Sequence, residues 1–376
     1  MPATVTFHPL GNADCAVFRL ADDRLAVFDF ADMRNSDDGS DKRCDLDAEL
    51  RSALRRAGQT DVAVLCVTHL DDDHCRGVGE TFRLEHRNHY PGDKHIGIVE
   101  LWVPAAAILE TGLKGDAALV QREALDRLRK GRGVRIFSRP DPLRAHLLGR
   151  GINVDGKRHL FVDAGTCVPG FTLEGPEACE FFVHSPFASK QADGSYIDRN
   201  ANSIVLQAVF REGTRNSRVW LASDVTYEAL GDIVRISEAN ENADRLEWDL
   251  LKLPHHCSYL SIGPERGAGD AATAPTPETK RMFEDYRANS AVVVSTSWPI
   301  PRAGTKEDRD VQPPHRQAAN YHRGLGRGSA FRVTMEEPIE SRPKPFAYKF
   351  TAAGIAPVLA APDAAARTAR SNPRAG

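Results

Sequence analysis

The sequence predicts an α/β protein whose chemistry sits where strands end, and three observations carry that prediction. Val62-Ala63-Val64-Leu65-Cys66-Val67 is a short, Val-rich apolar run, the pattern of a strand buried on both faces. Such runs alternate with amphipathic helices: Leu46, Leu50, Leu54 and Ala57 share one face over 46–57, and Leu119, Ala124, Leu125 and Leu128 share one over 117–130. The runs also stop repeatedly at Asp or His, at Asp29, His69, Asp224 and His255. The carboxyl ends of strands are where open α/β sheets bind ligands.

The densest of these strand ends is Thr68-His69-Leu70-Asp71-Asp72-Asp73-His74. His69 and Asp71 are two apart and can point the same way from an extended turn. Asp73 and His74 are adjacent and diverge, so the spacing suits two metal ions rather than one. A solvated acidic turn is the plainer explanation of the heptapeptide alone, and the other strand ends weigh against it.

The 376 residues allow one large α/β domain with insertions or about two domains of ~150 residues. A hydrophobic content of 41% is enough to bury a core without covalent staples. The seven cysteines are odd in number, scattered and without a CxxC pair, which argues against a disulfide framework and for a reducing cytoplasm. A net charge of −3 supplies no global field for nucleic acid, so any such contact would use local patches. Met1-Pro2-Ala3-Thr4 lacks the basic and apolar regions of a secretion signal, and no apolar run approaches the ~20 residues of a membrane span. The expectation is a cytoplasmic protein that does not enter the membrane.

Along the chain, alternation predicts strands around Val5–Phe7, Ala16–Leu20 and Leu25–Phe30, with Asp29 at the end of the third. Residues 32–42 read as a loop before the first helix. After His74 the stretch 83–94 is polar, and His86, His89 and His95 read as solvated loop histidines. Ile98–Val103 is a strand. The helix at 117–130 runs into Arg127, Arg129, Lys130, Arg132, Arg135 and Arg139, read as a solvated face with cations near a helix C-terminus.

Phe181-Phe182-Val183 ends at His184, and Arg218–Ala222 ends at Ser223-Asp224, which repeats the pattern of Asp29. A helix carrying Tyr227, Leu230, Ile233 and Ile236 follows. Trp248–Leu253 runs into Pro254-His255-His256-Cys257-Ser258, and consecutive histidines at a strand end point to metal or phosphate chemistry. Residues 263–279, rich in Gly and Pro, read as a mobile loop. Ala291–Ser295 is a further strand, Pro314-His315 lies in a polar loop beyond it, and the end from Pro357 is rich in Ala, Pro and Arg.

Taken in order, these clusters resemble the metallo-β-lactamase superfamily, and within it the hydrolase domain of the competence DNA-uptake channel family. Residues 68–74 are similar to that family's HxDxDH. Gly11-Asn12-Ala13-Asp14 with Phe28-Asp29 is similar to "GQGD…ID", and Asn200-Ala201-Asn202-Ser203-Ile204-Val205-Leu206 to "NDNSLVL". Leu221-Ala222-Ser223-Asp224 resembles "LTGD", Leu251–Ser258 resembles "LKVPHHGS", and Pro314-His315 falls near a late "HP". The similarity spans about residues 5–320. Ala201 stands where the family has Asp, and Ser223 and Cys257 where it has Gly. The channel's membrane spans and DNA-binding barrel have no counterpart, so the resemblance implies a free-standing relative.

The resemblance implies one domain over 1–355, an αββα sandwich of two mixed sheets flanked by helices. Insertions would lie at about 83–95, 105–175 and 263–279, with a disordered tail at 356–376. It implies two divalent ions, Zn or Mn: His69 and Asp71 on one, Asp73 and His74 on the other, and Asp224 between them. His255 or His256 would complete the second site and His184 the first. Asp29 would orient a ligand histidine through its ring N–H, with Asn202, Ser258 and His315 behind the ligands or against substrate. Asp73, Asp224 and His256 would act in catalysis, His256 by giving a proton to the leaving oxygen. An Asp at position 71 in place of the commoner His makes the ligand set harder and improves the case for Mn²⁺.

The implied activity is metal-dependent phosphodiester hydrolysis, with a nucleic acid or nucleotide as substrate. Hydrolysis of a small carbonyl substrate such as a lactone, thioester or β-lactam shares the hydroxide chemistry. An inactive metal-binding partner subunit is the alternative outside enzymology.

Overall fold

The computed structural model describes residues 2–87, 94–188, 198–325 and 330–359. In chain order the first seven strands are β1 (Thr4–Phe7), β2 (Ala16–Arg19), β3 (Leu25–Phe28), β4 (Asp61–Cys66), β5 (Gly97–Pro104), β6 (Val134–Phe137) and β7 (Phe161–Val162). They are followed by β8 (Cys179–Ser185), β9 (Val205–Glu212), β10 (Arg215–Leu221), β11 (Trp248–Lys252) and β12 (Arg287–Ser295). The last three are β13 (Ala330–Val333), β14 (Phe346–Thr351) and β15 (Gly354–Pro357).

They form two mixed sheets. The larger has the order β15-β14-β1-β2-β3-β4-β5-β6-β7, antiparallel as far as β3 and parallel from β3 to β7. The smaller runs β13-β12-β11-β10-β9-β8, with β10 to β13 parallel. An aromatic core fills the space between the sheets. Phe18 stacks on Phe210 at 5.3 Å, Phe210 on Phe350 at 4.2 Å, and Trp102 meets Phe28, Phe137 and Phe181 within 6.0 Å. Truncating one of these rings would cost about 3–5 kcal/mol.

Helices cover both outer faces. Leu46–Ala57 and Gly115–Lys130 pack on the larger sheet, and Tyr227–Ala239 and Arg316–Gly324 on the smaller. The first of these is punctuated as its sequence dictates: the Asp45 carboxylate accepts from Ala48 N–H, and Gly58 closes it at φ 65°. Among the described residues no helix is long and apolar enough to cross a membrane.

Several expectations change. Residues 105–175 supply β6 and β7, so they widen the larger sheet rather than sit outside it as an insertion. β15 extends through Pro357 and pairs with β14, so ordered structure continues past residue 355; residues 360–376 lie outside the described residues. In the loop at 263–279, Arg266 bonds to Gln317 and to the carbonyls of Asp308 and Asp310. Arg127 is not part of a solvated face. It is buried and bonded to the buried Glu123 at 2.7 Å, and that carboxylate also accepts from the backbone of Glu85 and His86 and from His86 Nδ1. His86 is therefore a partner of Glu123 rather than a free loop side chain, and His89 lies outside the described residues.

Candidate metal centre

β3 and β4 of one sheet and β10, β11 and β12 of the other all end at the same rim, and the turns leaving them meet there. Asp29 follows β3, residues 68–74 follow β4, Ser223 and Asp224 follow β10, and His255 and His256 follow β11. Asp14, from the turn between β1 and β2, joins them; its backbone N–H donates to the Asp73 carbonyl at 2.9 Å. Gly11 allows that turn. Its φ is +75°, and a Cβ there would fall 2.6 Å from the Trp298 ring.

One ligand atom each from Asp73, His74, Asp224 and His256 lie within 4.8 Å of one another, and all but Asp73 are buried. The rings are aimed by bonds behind them. His74 Nδ1 is 2.9 Å from Asp29 Oδ2, so its N–H donates there and Nε2 is presented forward, 3.3 Å from Asp224 Oδ1. Asp29 is itself held by Thr68, whose N–H donates to one oxygen at 2.7 Å and whose hydroxyl donates to the other at 2.8 Å. His256 Nδ1 donates to the Thr296 carbonyl at 2.7 Å. That leaves Nε2 facing Asp73 at 3.1 Å and Asp224 at 3.5 Å.

Both rings thus have one nitrogen held by an acceptor and turn the other inward, the arrangement a metal ligand needs. His74 Nε2, Asp224 Oδ1, His69 Nε2 and His255 Nδ1 are buried atoms without a hydrogen-bond partner. Buried polar atoms are seldom left so, and their convergence on one rim fits a cation.

The electrostatics agree. Burial alone would depress the basicity of His74 and His256, yet Asp224 and the neighbouring carboxylates raise both above the ordinary histidine value. The same imidazoles hold Asp224 well below the usual carboxylate range against its burial. Lys252 is buried, is bonded to Asp14 and donates to the Ser223 carbonyl at 3.1 Å. Its ammonium offsets one carboxylate of the four contributed by Asp14, Asp29, Asp73 and Asp224. The remaining negative charge draws protons onto the histidines, and a divalent cation would take their place.

The turns are strained. Asp29, Ser223, His255, His256 and Cys257 have φ between 47° and 66°, five of the nine non-glycine residues with positive φ among those described. Two of these, Ser223 and Cys257, are the positions where the resembling family has Gly. Ser223 makes use of its side chain: its hydroxyl donates to Thr68 Oγ1 at 2.7 Å, tying the two sheets' turns together.

The structure places the remaining expected residues as follows. His69 is buried beside His74, ring centroids 3.9 Å apart, with Nε2 3.3 Å from Asp71 Oδ2. Asp71 is bonded to Arg199. His255 lies next to His256, centroids 6.2 Å apart, but it is His256 that enters the four-residue group.

His184 is not brought to the rim. It lies within β8 rather than at its end, Nε2 donates to the Arg245 carbonyl at 3.0 Å, and its ring packs on Trp220 at 4.4 Å. Ser258 caps the short turn after the two histidines by accepting from Leu260 N–H. His315 backs that turn, its N–H donating to the Cys257 carbonyl and its Nδ1 accepting from Tyr259 N–H. Asn202 is buried and donates to the Asp198 carbonyl, folding a loop whose Ile204 N–H docks on the Thr68 carbonyl.

Four residues escaped the sequence reading as site residues. Asp14 and Lys252 carried a signal, since each sits in a quoted motif at a strand boundary. Thr296 had the strand-end position alone, and Arg199 carried no signal.

No protein-family model matches the chain, and no curated protein matches it.

Proposed function

We propose that this protein is a metal-dependent phosphodiesterase of metallo-β-lactamase type, acting on a nucleic acid or nucleotide. The observation that carries the reading is the group Asp73, His74, Asp224 and His256, gathered from both sheets with one ring nitrogen of each histidine turned inward, His74 Nε2 without a hydrogen-bond partner and His256 Nε2 against Asp73. The motif order and the two mixed sheets flanked by helices support the family assignment.

Asp73, His74, Asp224 and His256 would hold one ion, and His69 with Asp71 would contribute to a second. Two such ions, zinc or manganese, supply an acidified water and neutralise the charge that builds on a phosphodiester. The chain's own part is orientation. Asp29 and the Thr296 carbonyl fix the two imidazoles, Lys252 restrains Asp14 and Asp224, and Thr68 and Ser223 lock the turns that carry them.

His256 is unsuited to protonate the leaving oxygen, because one ring nitrogen is bonded to Thr296 and the other faces carboxylates. His255 is the free imidazole beside the group. Burial lowers its basicity and so favours the neutral ring, the form that can accept a proton but has none to deliver as an imidazolium.

The test is cleavage of single-stranded DNA, RNA, double-stranded DNA and a chromogenic phosphodiester with Mn²⁺ or Zn²⁺, beside Asp224→Ala. Metal-dependent cleavage, reduced in the variant by more than the roughly 10- to 100-fold cost of losing an outer partner, is the expected result. No turnover of any phosphodiester by protein shown to hold metal would sink the reading and bring a lactone, thioester or β-lactam substrate forward.

A further inference from the structure

The two halves of the rim are not equivalent, and the difference is a guanidinium. On one side Asp73, His74, Asp224 and His256 face one another; among the described residues no Arg or Lys is bonded to Asp73, and the restrained Lys252 stands 3.8 Å from Asp224 Oδ1. On the other, among the described residues Asp71 is the carboxylate paired with His69 Nε2, at 3.3 Å, and its second oxygen is already taken by Arg199.

Arg199 is held on its other edge as well. Its Nε lies 3.1 and 3.0 Å from the two oxygens of Glu110, a second guanidinium nitrogen bonds the same carboxylate, and the nitrogen that meets Asp71 also donates to the Leu70 carbonyl at 3.2 Å. A planar fork engaged by two carboxylates and a carbonyl has little freedom to swing away. Its position is fixed further by the docking of Ile204 on Thr68 at 3.0 Å.

We infer that Arg199 makes the centre asymmetric: it holds Asp71 away from metal duty, so that the Asp73–His74–Asp224–His256 half binds a divalent ion tightly and the His69–Asp71 half binds one weakly. An ion entering the second half meets a fixed positive charge and shares the Asp71 carboxylate with that charge. Glu110 is the lever behind this, since it keeps the guanidinium in place. The inference rests on the reading of the rim as a metal centre and goes beyond it in ranking the two halves.

The experiment is titration of the purified full chain with Mn²⁺, followed by electron paramagnetic resonance of the free ion to obtain stepwise dissociation constants. It includes Arg199→Met, Arg199→Lys and the double variant Arg199→Met with Glu110→Gln, each checked for folding by its thermal transition. The double variant removes the carboxylate that Arg199→Met alone would leave free to become a ligand.

The wild type should bind one ion tightly and a second about 10-fold or more weakly. Arg199→Met and the double variant should tighten the second constant by about 10- to 100-fold and leave the first within about twofold, with Arg199→Lys between. Two ions of equal affinity in the wild type, or a second constant that does not move in the variants, would overturn the inference while leaving the metal reading intact. Absence of any Mn²⁺ binding by the wild type would overturn the metal reading, and this inference with it.

Discussion

His74 and His184 are both buried, the first in the turn that follows one apolar run and the second directly after another, yet their surroundings push them in opposite directions. Around His74 burial is outweighed by Asp224 and Asp29, and its basicity rises well above the ordinary histidine value. Around His184 burial dominates and the nearby Arg245 adds to it, so its pKa falls to about 3. The ring nitrogens differ in the same way. His74 Nε2 faces a carboxylate with no hydrogen-bond partner, whereas His184 Nε2 is bonded to a backbone carbonyl. A candidate ligand is thus marked by an unpaired nitrogen among carboxylates, with a second acceptor fixing the other nitrogen. Position after an apolar run does not distinguish the two.

The sharpest way to break this comparison is to remove what orients His74. Asp29 accepts from three donors, the Thr68 N–H and hydroxyl and His74 Nδ1. Asn in its place has one oxygen to offer and turns an N–H₂ toward the ring or the threonine. Asp29→Asn should weaken Mn²⁺ binding about 10- to 100-fold, while Ser237→Ala, which touches His184 Nδ1 from 3.4 Å, should leave it unchanged. Equal effects of the two substitutions would mean that the contrast between the histidines has no functional content.

The contrast also explains what could be read from the sequence. The strand-end positions of Asp29, residues 68–74, Asp224 and His255–His256 were legible because a buried parallel strand is a Val-rich run, and the residue after it must emerge at the rim. The choice between His255 and His256 was not legible. It depends on a turn with φ of 47° and 50° at the two residues and on the Thr296 carbonyl, which is 40 positions away in the chain. His184 was misplaced because Phe181-Phe182-Val183 looks like a complete strand, whereas β8 continues through Ser185 and pairs with Val205. Arg199 was invisible, since nothing local says that a loop arginine will meet Asp71 and Glu110. Of the fold, the long apolar strands were legible. The two-residue β7 was not, being short, nor were the edge strands β13 and β15 and the neighbouring β14, which are half-exposed at several positions.

His184 offers the next test through pH. An unfolded histidine titrates near 6.5, and His184 folded does so at about 3. As pH falls through 6.5 the unfolded chain takes up a proton that the folded protein refuses. The stability from keeping the ring neutral is therefore complete above 6.5 and drains as pH falls toward 3, at about 1.4 kcal/mol per pH unit. His8, His315 and His322 are also buried and lowered, to about 4, 4 and 3, and add to the same loss. The urea midpoint should drop steeply between pH 6 and pH 5. His184→Gln keeps a donor for the Arg245 carbonyl and removes one titrating group, so it should flatten that drop while leaving Mn²⁺ stoichiometry unaltered. A loss of bound Mn²⁺ in His184→Gln would return His184 to the ligand set.

The smallest effect lies in the backbone. His184, at an irregularity in the β8–β9 pairing, is not among the positive-φ residues, whereas the turn at Ser223 holds a non-glycine residue at φ 47°. Left-handed backbone costs an L-residue roughly 1–2 kcal/mol, and the Ser223 hydroxyl recovers a part of that, about 1 kcal/mol, through its bond to Thr68. Ser223→Gly relieves the strain and loses the bond, so the two terms nearly cancel. Ser223→Ala keeps the strain and loses the bond, and leaves Thr68 Oγ1 without its donor. Ala should therefore be less stable than wild type by about 1 kcal/mol and also less stable than Gly, in denaturant melts at pH 7. An alanine variant as stable as the glycine variant would show that φ at this turn stores no strain, and the hydroxyl bond between the two sheets' turns would then be the whole reason for a serine there.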